Sequence, residues 1–423
     1  MARRRNSPLL LDRLPERLSH SYTFLVLVFS ILGLLALDFA TRKREEARPS
    51  ALPPLRTSAL PAPQMEPWSF FHPLWNESDP WTMFIKGNHS ALPTFSDDLS
   101  DYLNDPDNRI DKEFKVTSGI KKRVQFWVEI YAKYNSRIRV VHDRNDPGII
   151  YGYIDLRPLY RTYGKGSTTE SKAIDIERKV LKEIKAQLAE AIGITATKTL
   201  SANERQSIRD FLSRAGALSA KATAVLIENV RSQTGQRDEF LQALHRSSTL
   251  LPHIETVLRK FNLPVALGRI PFVESSFNAR ARSSVGAVGI WQFMPETARQ
   301  MIHGEDESLW SDPIKQTTSA AKLLQIYRNI LPDWSLTVTS YNSGVGRLRS
   351  LVAKYRVKNL DALLAAQGKD GLGFAGENFY SEVLAANIVE AYKEEIFRRM
   401  LGKVDLALVF KGKAPFPKEI CDL

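Results

Sequence analysis

The chain of 423 residues holds a single cysteine, Cys421, close to its last residue. One cysteine permits no disulfide within the chain and no thiolate metal cluster. Seven histidines are present, but none fall in a His-Glu-x-x-His or similar paired spacing, and no glycine-rich phosphate loop occurs. An enzyme built on this sequence is therefore expected to work without metal or cofactor. Zinc spacings and arginine-rich recognition helices are also missing, which disfavours a nucleic-acid partner. Acidic residues are the scarcer charge, 47 against 59 lysines and arginines, for a net charge of +12. That excess suits an anionic surface or polymer, though a merely solvated basic surface would look the same. Apolar content of 43% and charged content of 25% are those of a globular protein. The length suits one large domain or two ordinary ones.

One long apolar run is present. It covers Tyr22 to Leu37 and reaches Ala40 if Asp38 is tolerated near an interface. This approaches the roughly 20 residues that a membrane-spanning helix needs. Arg3, Arg4, Arg5, Arg13 and Arg17 precede the run and favour an N-terminus left in the cytoplasm; Arg42, Lys43 and Arg44 follow and weaken that bias. A cleaved signal peptide competes with this reading, but no small-x-small cleavage site is evident and no cysteine follows the run to accept a lipid. The expectation is a cytoplasmic basic tail over 1–21, a single transmembrane anchor over 22–40, and export of the remainder to the periplasmic face of an inner membrane.

Residues 41–67 carry Pro53, Pro54, Pro61, Pro63 and Pro67 and are expected to form an extended, semi-rigid linker. Residues 68–165 are a mixed region whose role cannot be read. Trp68, Trp75 and Trp81 stand among Asn, Asp and Pro at its start. A helix over Val124–Tyr134 follows. Two β-branched runs, Arg137–Val141 and Ile149–Ile154, flank a turn cluster and suggest a hairpin. From 170 onward the chain reads as all-α. Ile174, Leu181, Ile184, Leu188 and Ile192 form a stripe at helical spacing that Gly193 is placed to end. Further helices are expected at 203–215, 219–231, 236–247, 249–261, 295–303, 314–331, 334–342, 344–355 and 377–401. These divide into a helical lead-in over 166–248, a catalytic domain over 249–402 and a tail over 403–423.

The informative stretch runs from Ile270-Pro271-Phe272-Val273-Glu274-Ser275-Ser276-Phe277-Asn278 to Met294-Pro295. Glu274 ends an apolar helix, where poor solvation disfavours the carboxylate and raises the pKa. A carboxylic acid still protonated near neutral pH can donate to a leaving oxygen. A surface glutamate at a helix end is the plainer alternative. Gly286 and Gly289 permit a tight loop or close approach of a ligand. Ser283 and Ser284 read equally well as turn or cap residues. Trp291 and Phe293 are either core or sugar-stacking surfaces.

In order and spacing this stretch resembles the catalytic segment of the SLT lytic transglycosylases, which have a goose-type lysozyme-like fold, and the membrane-bound D-type branch in particular. The matching positions are Glu274-Ser275, Phe277-Asn278, Ser283, Gly286-Ala287, Gly289, Gln292 and Met294-Pro295. Thr339-Ser340-Tyr341-Asn342-Ser343-Gly344 is similar to the family's Ala-Ala-Tyr-Asn-Ala-Gly motif, and Glu377-Asn378-Phe379-Tyr380 resembles its Glu-Thr-x-x-Tyr motif. The resemblance covers about 235–395 and not 41–165. Ala279 replaces a usual proline, and Ile290 a usual leucine.

The resemblance implies an α-helical lysozyme-like catalytic domain; together with the readings above, a mainly α protein is expected, in which a helical and small mixed α/β region and a single N-terminal transmembrane helix precede that domain. It implies Glu274 as sole catalytic acid/base, saccharide contacts from Ser283, Gln292, Met294, Tyr341 and Asn342, and Tyr380 close to the catalytic carboxyl. The partner would be the glycan strands of peptidoglycan, whose acidic stem peptides the basic charge could hold. An envelope assembly could supply protein partners. The alternatives are a lysozyme-type hydrolase, with Asp306 or Asp312 as a second acid, and an inactive wall-binding protein.

Overall fold

A computed structural model describes residues 97–401, apart from 197–198, 303–309 and 369–370, together with Phe410. The expected cytoplasmic tail, anchor, linker and C-terminal tail lie outside the described residues, as do Trp68, Trp75, Trp81 and Asp306. Among the described residues no helix is long and apolar enough to cross a membrane.

A turn of helix and a 3-10 turn, Asp97–Asn104, lead into α1 (Lys121–Ala132), β1 (Ile138–Asp143) and β2 (Ile150–Asp155). α2 (Arg157–Tyr163), α3 (Ser167–Ala191), α4 (Ala202–Arg214) and α5 (Ala220–Asn229) come next, and then β3 (Val230–Thr234). The C-terminal half comprises α6 (Arg237–Lys260), a 3-10 turn over Val265–Arg269, α7 (Ile270–Ser275), α8 (Pro295–Met301), α9 (Pro313–Ile330), α10 (Trp334–Ser343), α11 (Val345–Tyr355), α12 (Leu360–Ala366), α13 (Phe374–Ala391) and α14 (Lys393–Leu401).

The hairpin expected from the β-branched runs is present, with Val140 opposite Tyr153. It gains a third strand that the sequence reading had absorbed into a helix over 219–231. β3 pairs antiparallel with β1, giving the order β2-β1-β3. Residues on a strand alternate between faces, and here both faces are buried. Ile138 and Val140 pack into the main helical core, whereas Val141 packs into a second core with α3, α4 and α5. The sheet is therefore a shared wall between the catalytic helices and a smaller lead-in module.

Other expectations also change. The helices expected at 236–247 and 249–261 are one helix, α6, with Pro252 inside it. Leu251, Ile254 and Leu258 continue the stripe of Phe240, Leu241 and Leu244 into the same core, so burial overrides the missing proline donor. The expected boundary at 248/249 falls inside this helix. The helix expected over 377–401 divides at Tyr392 into α13 and α14. Residues 99–134, placed in a region of unknown role, line the main core through Leu103, Trp127 and Tyr131. α13 is buried almost all round, as a central helix must be, and packs on α1, α7 and α10.

Candidate active site

Glu274 lies in the last turn of α7, a six-residue helix capped by Ser276 in the left-handed conformation. Ser276 (φ 50°) and Phe277 (φ 59°) are consecutive left-handed residues, and Gln292 (φ 48°), in the loop that follows, is a third. Non-glycine residues in this region carry strain that surrounding contacts must enforce, and such residues gather at functional sites. The contacts are explicit here. Phe277 packs edge-on against Phe272 at 4.6 Å, and Phe272 stacks on Phe240. Arg246 Nε donates to the Ser276 carbonyl at 2.9 Å, and Ser275 Oγ donates to the Ile290 carbonyl at 2.9 Å.

The loop after α7 folds on itself through bridges Arg282–Val288 and Val288–Phe293. Gln316 of α9, fully buried, pins it from beneath. Its Oε1 accepts from the Trp291 N–H at 3.1 Å, and its Nε2 donates to the carbonyls of Val288 and Trp310. Gly289 sits directly over that amide at φ 73°, where a Cβ would collide with it. Trp291 and Phe293, left open between core and sugar surface, are core: Trp291 is fully buried and donates its Nε1 proton to Thr317.

The Glu274 side chain keeps a partial opening to solvent, yet its carboxyl is surrounded closely enough that desolvation pushes its pKa up to about 8. The negative charge of Glu382 adds to this rise. Tyr341 faces Glu274 from α10. Its hydroxyl donates to the Trp291 carbonyl at 2.7 Å, and its ring lies parallel to Phe379 of α13, 6.4 Å away. Burial and then the Glu274 charge push the Tyr341 pKa well above the ordinary phenol value. Its proton is committed to that backbone carbonyl.

The other expected residues are placed as follows. Ser283 cross-ties the loop, accepting from the Ala287 N–H at 2.9 Å. Gln292 donates its side-chain amide to the Gly289 carbonyl at 2.8 Å. Met294 is 36% exposed at the start of α8, a rare exposed apolar side chain beside a buried loop. Asn342 is half-buried at the C-terminal end of α10.

Tyr380 is not at this centre. It is buried against Phe114, and the carboxylates that reach it are those of Asp333 and Asp361. The reason is helical phase. Glu377-Asn378-Phe379-Tyr380 is one residue shorter than the Glu-Thr-x-x-Tyr pattern it resembles, and one residue on a helix is a rotation of about 100°. The ring that lies against Tyr341 is Phe379. Glu377 itself faces the sheet side, accepting from Gln367 and sensing Arg123 and Arg144.

Glu382 was not anticipated. It is a half-buried carboxyl on α13, followed by the apolar run Val383-Leu384-Ala385-Ala386. Asp312, a candidate second acid, accepts from the N–H groups of Ile314 and Lys315 and so caps α9.

The site thus sets a half-buried acid of raised pKa at a short helix end, with Tyr341 of the Tyr-Asn motif beside it. Residues 255–363 match the family model of the Transglycosylase SLT domain, and the chain carries that domain. Over 109 residues it is 36% identical to Membrane-bound lytic murein transglycosylase D of Escherichia coli (strain K12), across 25% of this chain and 24% of that protein. It is 30% identical over 118 residues to Putative tributyltin chloride resistance protein of Alteromonas sp. (strain M-1), across 27% of this chain and 56% of that one. The chain thus matches about a quarter of the first relative's length and about half of the second's. The matched family segment holds Glu274, Ser283, Gln292, Met294, Tyr341 and Asn342, and ends before α13.

Proposed function

We propose that the protein is a peptidoglycan lytic transglycosylase. It cleaves the β-1,4 bond between N-acetylmuramic acid and N-acetylglucosamine and leaves 1,6-anhydro ends. The observation that carries this is the Glu274 carboxyl, held protonated near neutral pH by desolvation and faced by Tyr341. Glu274 donates its proton to the glycosidic oxygen as the bond to the anomeric carbon breaks. The 2-acetamido group of the substrate stabilises the charge that develops there. Glu274, now a carboxylate, takes the proton of the muramic acid C6 hydroxyl as that oxygen bonds to the anomeric carbon. The proton returns to Glu274 and no water is consumed. The intramolecular attack draws on a high effective concentration.

Tyr341 orients Glu274, while Gln292, Asn342, Met294 and Ser283 bind saccharide around it. The apolar run Tyr22–Leu37 supports an anchor that holds this domain on the periplasmic face of the inner membrane. The test is product analysis on purified sacculi by mass spectrometry. The native chain should release anhydromuropeptides, and folded Glu274→Gln should release none. Reducing ends in place of anhydro ends would make the protein a hydrolase.

A further inference from the structure

α13 carries a second acid, Glu382, whose charge reaches Glu274. α13 packs directly against α7, which carries Glu274. Around the α13 axis Glu382 falls between Asn378, which accepts from Trp127 of α1 at 3.1 Å, and Phe379, which stacks on Tyr341. Tyr380, two positions earlier, points about 160° away from Glu382 by helical geometry. Glu382 is therefore the carboxyl that this helix turns toward the site. It is held in place: the Tyr131 hydroxyl of α1 donates to its Oε2 at 3.4 Å, and Arg231 of β3, 3.5 Å above the Phe374 ring, contributes a cation from the sheet side.

We propose that Glu382 is a positioning residue that keeps the proton on Glu274, so that two carboxyls, not one, set the pH range in which the site can act. This rests on Glu274 being the acid of the transglycosylase reaction. Two carboxyls in one poorly solvated place cannot both ionise cheaply, so each opposes ionisation of the other. Burial raises Glu382 to about 8, against the lowering influence of Tyr131 and Arg231. The groups that reach the pair are Tyr341 from α10, Tyr131 from α1 and Arg231 from β3. Arg231 in turn senses Arg144 and Glu177 of the lead-in module. Through β3, the smaller module biases the proton balance of the catalytic centre.

The experiment compares the full chain in detergent with Glu382→Gln and Glu274→Gln. Activity on sacculi is followed against pH, and protonated carboxyl C=O bands are followed against pH by infrared spectroscopy. For Glu382→Gln, anhydro products persist, and the alkaline limb of the rate profile moves toward lower pH by roughly half a unit to one unit. In Glu274→Gln the remaining band, that of Glu382, titrates at lower pH than in the native chain. An unmoved limb in folded Glu382→Gln, or loss of cleavage at every pH, overturns the proposal. Should Glu382→Gln fail to fold, an unmoved Glu382 band in Glu274→Gln overturns it instead. Activity retained by Glu274→Gln would strike at the transglycosylase reading, whereas the infrared arm judges the pairing by itself.

Discussion

The Tyr341 hydroxyl donates to the Trp291 carbonyl at 2.7 Å, joining the end of α10 to the loop that follows the catalytic acid. This bond fixes where the phenol oxygen stands relative to Glu274. Tyr341→Phe should fold, because the parallel contact with Phe379 is kept. It leaves the Trp291 carbonyl unpaired and Glu274 without its facing oxygen. A lost buried partner costs about 1–3 kcal/mol, so kcat/KM on sacculi should fall roughly tenfold to a hundredfold. A native rate in this variant would remove Tyr341 from the orienting role.

The raised carboxyls also set the pH behaviour. Glu274 must be protonated to donate, so turnover should hold below about 8 and fall above it. Stability has a direction as well. Glu274 and Glu382 each rise from 4.5 to about 8 in the folded chain. Between those values the folded state holds protons that the unfolded state has lost, so stability falls as pH rises through that window. Glu382→Gln should therefore raise Tm at pH 8 more than at pH 5. An equal change at both values would mean that Glu382 ionises normally.

The local sequence of this site is short, and it left two readings of Glu274 open after Ile270-Pro271-Phe272-Val273, a desolvated acid or a surface glutamate; the Tyr-Asn pair at 341–342 entered through the resemblance alone. What could not be read depended on phase and long-range packing. Packing between distant segments puts Tyr380 against Phe114 and Phe379 against Tyr341. The strand β3 reads locally as a helix end, and only its pairing with β1, nearly a hundred residues earlier, makes Val230–Thr234 a strand. Glu382 signifies nothing until α13 is seen packed against α7.

Gly289 tests how tightly the acid's loop is held. A side chain at φ 73° costs about 1–2 kcal/mol by itself. In addition its Cβ would strike the Gln316 amide, whose bonds to Trp291 and Val288 leave it no room to swing aside. Gly344, at φ 82° with nothing within 4 Å of a Cβ, carries only the backbone cost. Gly289→Ala should lower Tm and cleavage together, and by more than Gly344→Ala lowers Tm. Equal melting shifts would show that Gln316 yields without cost.

Arg269 lies just before α7 and orients the helix that carries the acid. Its guanidinium reaches Glu255 of α6 at 2.6 Å and Glu390 of α13 at 2.7 Å, and it also donates to the Val265 carbonyl. Burial would raise the pKa of Glu390, but the cations of Arg269 and Lys393 overcome this and hold it below the usual carboxylate range. Arg269→Met keeps the volume and removes the charge, leaving Glu255 only Arg259 and the buried Glu390 only Lys393 as a counter-charge. Breaking such a pair from one side costs about 3–5 kcal/mol. The deficit should be largest near neutral pH and should shrink as pH falls and Glu390 takes up a proton that the native ion pair denies it. Adding Glu390→Gln should recover part of the loss at pH 7 and little at pH 4. Urea unfolding at the two pH values measures this directly; a deficit independent of pH would mean that Arg269 acts through packing of its stem and not through its charge.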